Sequence, residues 1–139
     1  MSTMNDAERD AFLLERRLGT LAIARDGKGP LLAPIWYRYT PGGTVDICMS
    51  GSSAKAVLLR AAGRASMCVS DEGRPYRYVT VEGPVTVTDL GDSAREEILA
   101  MATRYLGATG GAHYAEAFST PDEVIVRLTP TQWRTEVLG

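Results

Sequence analysis

The chain has 139 residues, 45% of them hydrophobic and 23% charged, enough for one buried core in a single domain over 1–139. A formal net charge of -2 and a pI near 5.4 give no general attraction to nucleic acid or a membrane surface. No apolar run reaches the roughly 20 residues of a spanning helix, and the polar, acidic start MSTMNDAERD is unlike a secretory signal.

Asn5 with Glu8 three residues on predicts a capping box and a first helix. Ala7, Ala11, Leu14 and Leu18 recur at helical spacing, with Gly19 as the expected stop. Strand-like runs follow at 19–25 (GTLAIAR) and 31–39 (LLAPIWYRY), parted by the turn DGKGP. The turn PGG leads into a strand over 44–49, and 53–60 (SAKAVLLR) reads as a short helix. Strands are expected again at 64–70 and over the long run 76–88. In that run Val79, Val81, Val85 and Val87 alternate with Thr80, Glu82, Thr86 and Thr88, a period of two that puts one face in a core. Gly83-Pro84 predicts a bend that helps a sheet curl into a barrel. Ser93 boxed by Glu96 opens a second clear helix, the third in the chain, with Ile98, Met101, Ala102 and Tyr105 inward. Gly107 is its expected end, a glycine-rich loop runs to Ala112, and strands close the chain at 123–128 and 132–137. The order predicts an α+β fold with a mainly antiparallel β-barrel.

Chemistry-bearing residues are few. Cys48 and Cys68 lack CxxC or Cys/His spacing, so no metal site is expected, and two free thiols fit a reducing cytoplasm. His113 is the one histidine, which excludes a multi-histidine metal cluster or relay; it is expected on the surface of the polar loop. No GxSxG, HExxH, P-loop or GxGxxG pattern occurs, so any difficult chemistry must come from a cofactor. In Met49-Ser50-Gly51-Ser52-Ser53-Ala54-Lys55 a strand ends, a turn follows and Ser53 caps a helix. Serine hydroxyls, helix amides and Lys55 could together hold a phosphate. An ordinary capped helix with a solvated lysine explains the same residues. In Pro34-Ile35-Trp36-Tyr37-Arg38-Tyr39, alternation puts Trp36 and Arg38 on one face and Ile35, Tyr37 and Tyr39 on the other. The first face suits a planar anionic ligand, although plain aromatic cross-strand pairing accounts for it equally. Arg74-Pro75-Tyr76-Arg77-Tyr78 repeats the mixture. Residues 28–77 hold seven basic and three acidic side chains inside an acidic protein, which suggests a local anion site.

These pieces resemble the pyridoxamine 5′-phosphate oxidase-like split β-barrel family, and within it the flavin/deazaflavin oxidoreductases that use coenzyme F420. The matching elements are GTLAIA, DGKGP leading to APIWY, SGSSAKAVLLRAAGRASMCV and RPYRYVTVEGPVTVTD. No single motif among them is stringent, and their order and spacing from Leu18 to Asp89 carry the resemblance. It implies a homodimer with two cofactor sites at the subunit interface and a small-molecule substrate. The cofactor phosphate would meet Ser50, Ser52, Ser53 and Lys55, and the ring would lie against Pro34, Ile35 and Trp36. Tyr76 and Tyr78 would approach from the partner subunit. Coenzyme F420, passing hydride to a small organic acceptor, is the expected cofactor. FMN is the alternative, as is a non-catalytic cofactor- or tetrapyrrole-binding protein. One departure is Leu58-Leu59, where relatives often carry an Asn or Arg near the lysine. The excess cations Lys28, Arg38, Arg60 and Arg77 are the expected partners of the acidic F420 tail.

Overall fold

The computed structural model describes residues 2–139. Asn5 caps helix α1 (Asp6–Leu14): its side chain accepts from the Glu8 amide at 2.8 Å, and Glu8 accepts from the Asn5 amide at 3.2 Å. The buried face of α1 is Phe12 and Leu13, whereas Leu14 and Leu18 are 48% and 56% exposed. The expected stripe of Ala7, Ala11, Leu14 and Leu18 is therefore corrected, and so is Gly19 as the stop. The helix ends earlier because side chains take its last carbonyls. Tyr37 Oη donates to Leu13 O at 2.9 Å, Arg104 donates to Leu14 O and Glu15 O at 2.9 and 3.0 Å, and Arg17 donates to Phe12 O.

Eight strands, one more than expected because the 31–39 run forms two, are all paired antiparallel: β1 (Gly19–Ile23), β2 (Leu31–Ile35), β3 (Arg38–Tyr39), β4 (Val45–Ser50), β5 (Arg64–Asp71), β6 (Tyr76–Asp89), β7 (Glu123–Leu128) and β8 (Gln132–Leu138). Their order is β2-β1-β5-β6-β7-β4-β3, with β8 on the other side of β6. Strand β6 serves two sheets. Its first half pairs with β5 and β8, and beyond Pro84 it pairs with β7. The switch falls at Gly83, where a Cβ would lie 1.9 Å from Thr129 O, so only glycine allows the closure. Val79 and Val81 are buried in the barrel, while Val85 and Val87 are partly buried against it. The result is an α+β split barrel, as expected, with Leu21, Ile47, Met67, Val69, Val126 and Leu128 at its centre.

Helix α2 (Ala54–Ala62) is capped by Ser53, whose Oγ accepts from Ala56 N, and ends at Gly63 with φ +68°. Helix α3 (Ala94–Phe118) departs from expectation twice. Ser93 does not cap it by its side chain, which donates to Leu90 O at 2.7 Å instead. Gly107 interrupts the helix as expected, with non-helical backbone (φ +78°, ψ 176°), but a second helical segment follows at once where a loop was expected. The glycines there serve close packing: a Cβ on Gly111 would come within 2.8 Å of the Thr103 backbone. His113 is exposed as expected, but on this second helical segment. No helix among the described residues is long and apolar enough to cross a membrane. Both cysteines are free thiols.

Candidate functional site

The run expected as one strand over 31–39 is broken at Trp36-Tyr37. Tyr105 of α3 explains the break, since its hydroxyl stands where a strand neighbour would. Tyr37 N donates to Tyr105 Oη at 3.1 Å, and Tyr105 Oη donates to Arg17 O at 2.7 Å. The Tyr105 ring also stacks on Trp36, with centroids 5.1 Å apart and planes 7° from parallel. Tyr114 leans on Trp36 at 5.0 Å and on Phe118 at 4.7 Å. An aromatic wall thus stands over the end of β2. Tyr37 itself points inward and is fully buried, and burial pushes its hydroxyl up to about 12.

Between this wall and the outer face of β4 lies a cleft of about 630 Å³. Trp36, Tyr114 and Phe118 of the wall line it together with Pro34, Ile35, Cys48, Met49, Ile98, Met101 and Leu18. Ser50, Ser53, Lys55 and Glu123 contribute its polar groups. Six of the nine expected site residues (Pro34, Ile35, Trp36, Ser50, Ser53 and Lys55) are therefore brought together. Ser52 does not line the cleft. Tyr76 and Tyr78 lie elsewhere on the same chain, on β6 opposite Leu138 and Glu136 of β8.

The serines differ from expectation in one respect. Ser50 Oγ and Ser52 Oγ donate to a single oxygen of Asp122, Oδ2, at 2.5 and 2.8 Å, and the Ser52 amide donates to it at 3.2 Å. Gly51 N donates to Asp122 O at 2.8 Å. The turn that resembled a phosphate cradle is filled by the chain's own carboxylate. The bonds from Ser50, then Ser52, hold Asp122 below the ordinary carboxylate range. Next to it, Glu123 is only 8% exposed, and Thr120 Oγ1 donates to its Oε1 at 3.3 Å. Burial pushes the Glu123 carboxyl up. Burial likewise pushes the Cys48 thiol up to about 11, which leaves it a poor nucleophile near neutral pH.

The local excess of positive charge is also smaller than the sequence suggested. Arg38 pairs with Glu97 at 3.0 Å and Asp46 at 3.8 Å, and Arg77 with Asp71 at 2.6 Å. Arg60 donates to Gly51 O at 2.7 Å, beside the serine turn. Sequence reasoning missed Cys48, Tyr114, Phe118 and Glu123 as lining residues. For Glu123 a signal existed, because a period of two in EVIVRL sets it on the face of Ile125. No group of three or more candidate metal ligands occurs among the described residues.

No family model matches the sequence, and no curated protein matches it. Solved structures do. A conserved hypothetical protein from Mycobacterium tuberculosis superposes with a TM-score of 0.80 at 25% identity, covering 96% of this chain and 85% of that one. A structure described as an F420 reductase gives 0.72 at 24% identity, with 90% and 94% covered. A FAD-binding protein from Mesorhizobium loti gives 0.74 at 20% identity, with 99% and 98% covered. At these identities the likeness is one of fold.

Proposed function

We propose that this protein is an oxidoreductase that binds a flavin-type cofactor, coenzyme F420, in the cleft between Trp36 and Lys55. As a homodimer it would pass a hydride to a small electron-poor acceptor such as an alkene, imine or quinone. The observation that carries this reading is the cleft itself, about 630 Å³, which joins a flat apolar wall to a lysine-bearing helix start. A planar ring needs a rigid surface, and Trp36 is fixed by its stack on Tyr105. A phosphate needs a cation and free amides, which Lys55 and the first turn of α2 offer. Solved structures of the same fold described as an F420 reductase and a FAD-binding protein support a cofactor of this class.

When bound, the reduced cofactor would supply a hydride, which carries both electrons of the reduction, and a proton from solvent would complete it. The chain supplies position and environment. Lys55 offsets phosphate charge, Pro34, Ile35 and Trp36 align the ring, and Ile98, Met101 and Phe118 keep water from one side. Ser50 and Ser52 have a smaller part than their hydroxyls suggested, because Asp122 occupies both. Tyr76 is 45% exposed, and with Tyr78 it would complete the site from the partner subunit. Of the cations expected to meet the F420 tail, Arg60 remains best placed, next to the serine turn, with Lys28 in an exposed turn.

Fluorescence titration with F420 and with FMN, at low and moderate salt, tests the assignment. Tighter F420 binding that weakens with salt is expected. Tighter FMN binding would overturn the cofactor choice. Light scattering should report about twice the 15.0 kDa chain mass. Turnover of reduced F420 with candidate acceptors separates an enzyme from a carrier.

A further inference from the structure

Two successive carboxylates flank the Lys55 end of the cleft, and they differ in kind. Asp122 is outside the cleft and bonded through one oxygen to Ser50 and Ser52. Glu123 is inside it, more than nine-tenths buried, and takes a hydrogen bond from Thr120 Oγ1 at its Oε1. The nearby cations are Lys55, on the cleft lining, and Arg60, beside the turn. Arg60 is also 3.9 Å from Asp89, so these groups hold no surplus positive charge and each negative charge that a phosphate brings adds to the local repulsion.

Phosphate comes in two charge states in cofactors of this size. A terminal monoester is close to a dianion near pH 8, as in FMN. A phosphate esterified on both sides carries one negative charge, as in the F420 linkage or either half of a pyrophosphate. Asp122 and ionised Glu123 repel either form, but a dianion beside Lys55 meets about twice the repulsion that a monoanion does. The serine hydroxyls that could have offset a second charge are already engaged, Ser50 and Ser52 with Asp122 and Ser53 with Ser50 O.

We infer that Asp122, assisted by Glu123, is a specificity-determining pair that excludes phosphate monoesters from the Lys55 end of the cleft and admits phosphodiesters. The inference rests on the reading of this cleft as a cofactor site and sharpens it: the Asp122 carboxylate selects by charge state. Discrimination comes from what the pair rejects, since the favourable contacts are common to both ligand classes.

The test compares wild type with Asp122→Asn, which keeps an acceptor oxygen for Ser50 and Ser52 while removing the charge. Affinities are measured for FMN against riboflavin, and for F420 against the same deazaflavin lacking its phosphate. In wild type, FMN should bind no more than about threefold tighter than riboflavin. In Asp122→Asn that ratio should rise about tenfold, with a change under about threefold in the F420 ratio. An unchanged FMN ratio in the variant overturns the inference, as does a wild type that already prefers FMN over riboflavin more than about tenfold. Methyl phosphate and dimethyl phosphate, followed through the Ser52 amide resonance at pH 8, give the same comparison without any ring. If no ring binds, the cofactor reading fails, and the methyl phosphate arm alone then decides. Tenfold tighter monoester binding in Asp122→Asn, of the order expected for one removed charge, supports the inference, and equal binding overturns it. Should Asp122→Asn fold poorly by thermal melting, Glu123→Gln carries the comparison, with a smaller shift of about threefold in the same direction expected and no shift overturning it.

Discussion

Strand β4 has two faces that live in different solvents. On the inner face Val45, Ile47 and Met49 pair in register with Leu128, Val126 and Val124 of β7, all buried in the barrel. On the outer face Asp46, Cys48 and Ser50 pair with Arg127, Ile125 and Glu123. Cys48, Ser50 and Glu123 of that face line the cleft, and of the inner face only Met49, at the strand end, reaches it. Alternation alone puts neighbours in the chain into a dry core and into a polar recess. The inner face answers to volume and the outer face to charge, so stability and binding should separate along a single strand.

Ile47→Ala should break the inner face most severely. Ile47 is 2% exposed at the barrel centre, and truncation should remove roughly 2–5 kcal/mol of stability in urea melts. A loss well under that range would mean the barrel collapses around the gap. Lys55→Ala should do the reverse. Cofactor affinity should fall by roughly 1.5–3 kcal/mol, with the melting temperature nearly unchanged. A large melting shift with intact affinity would put Lys55 in the scaffold.

Tyr105→Phe sharpens the comparison where the faces meet. It strips the hydroxyl from Tyr37 N and Arg17 O but keeps the ring on Trp36, so about 1–2 kcal/mol of stability should be lost while the cleft wall stays in place. Glu123→Gln should have the smallest effect, visible as a pH trend. The Glu123 carboxyl is raised on folding by burial, so the folded state holds its proton more tightly than the unfolded chain. Its favourable contribution is complete below the unfolded value and is lost as pH rises through the folded one. Wild-type stability should therefore decline relative to Glu123→Gln over that window, and parallel pH profiles would contradict the assignment.

Much of the barrel was legible because its signals are local. The Val79 and Val81 alternation, the Asn5–Glu8 box and the Ser53 cap each act within a few residues. Where the signal is tertiary, sequence reasoning went astray. Leu14 and Leu18 matched a helical period, but Tyr37 and Arg104 take the carbonyls that fix where α1 ends. Gly107 to Gly111 read as loop, since nothing local shows a glycine packed against Thr103. The cleft residues were half legible. Trp36 and Lys55 announced themselves by type, but the carboxylate that fills the serine turn lies 70 positions from Ser52. No spacing rule reaches that far.

The most direct test of the cleft as a cofactor site is a crystal structure of the protein with coenzyme F420. The account predicts the deazaflavin ring against Pro34, Ile35 and Trp36, with the phosphate beside Lys55 and Asp122 still bonded to Ser50 and Ser52. A ring bound anywhere else on the molecule, with the Trp36–Lys55 cleft holding only water, would contradict it.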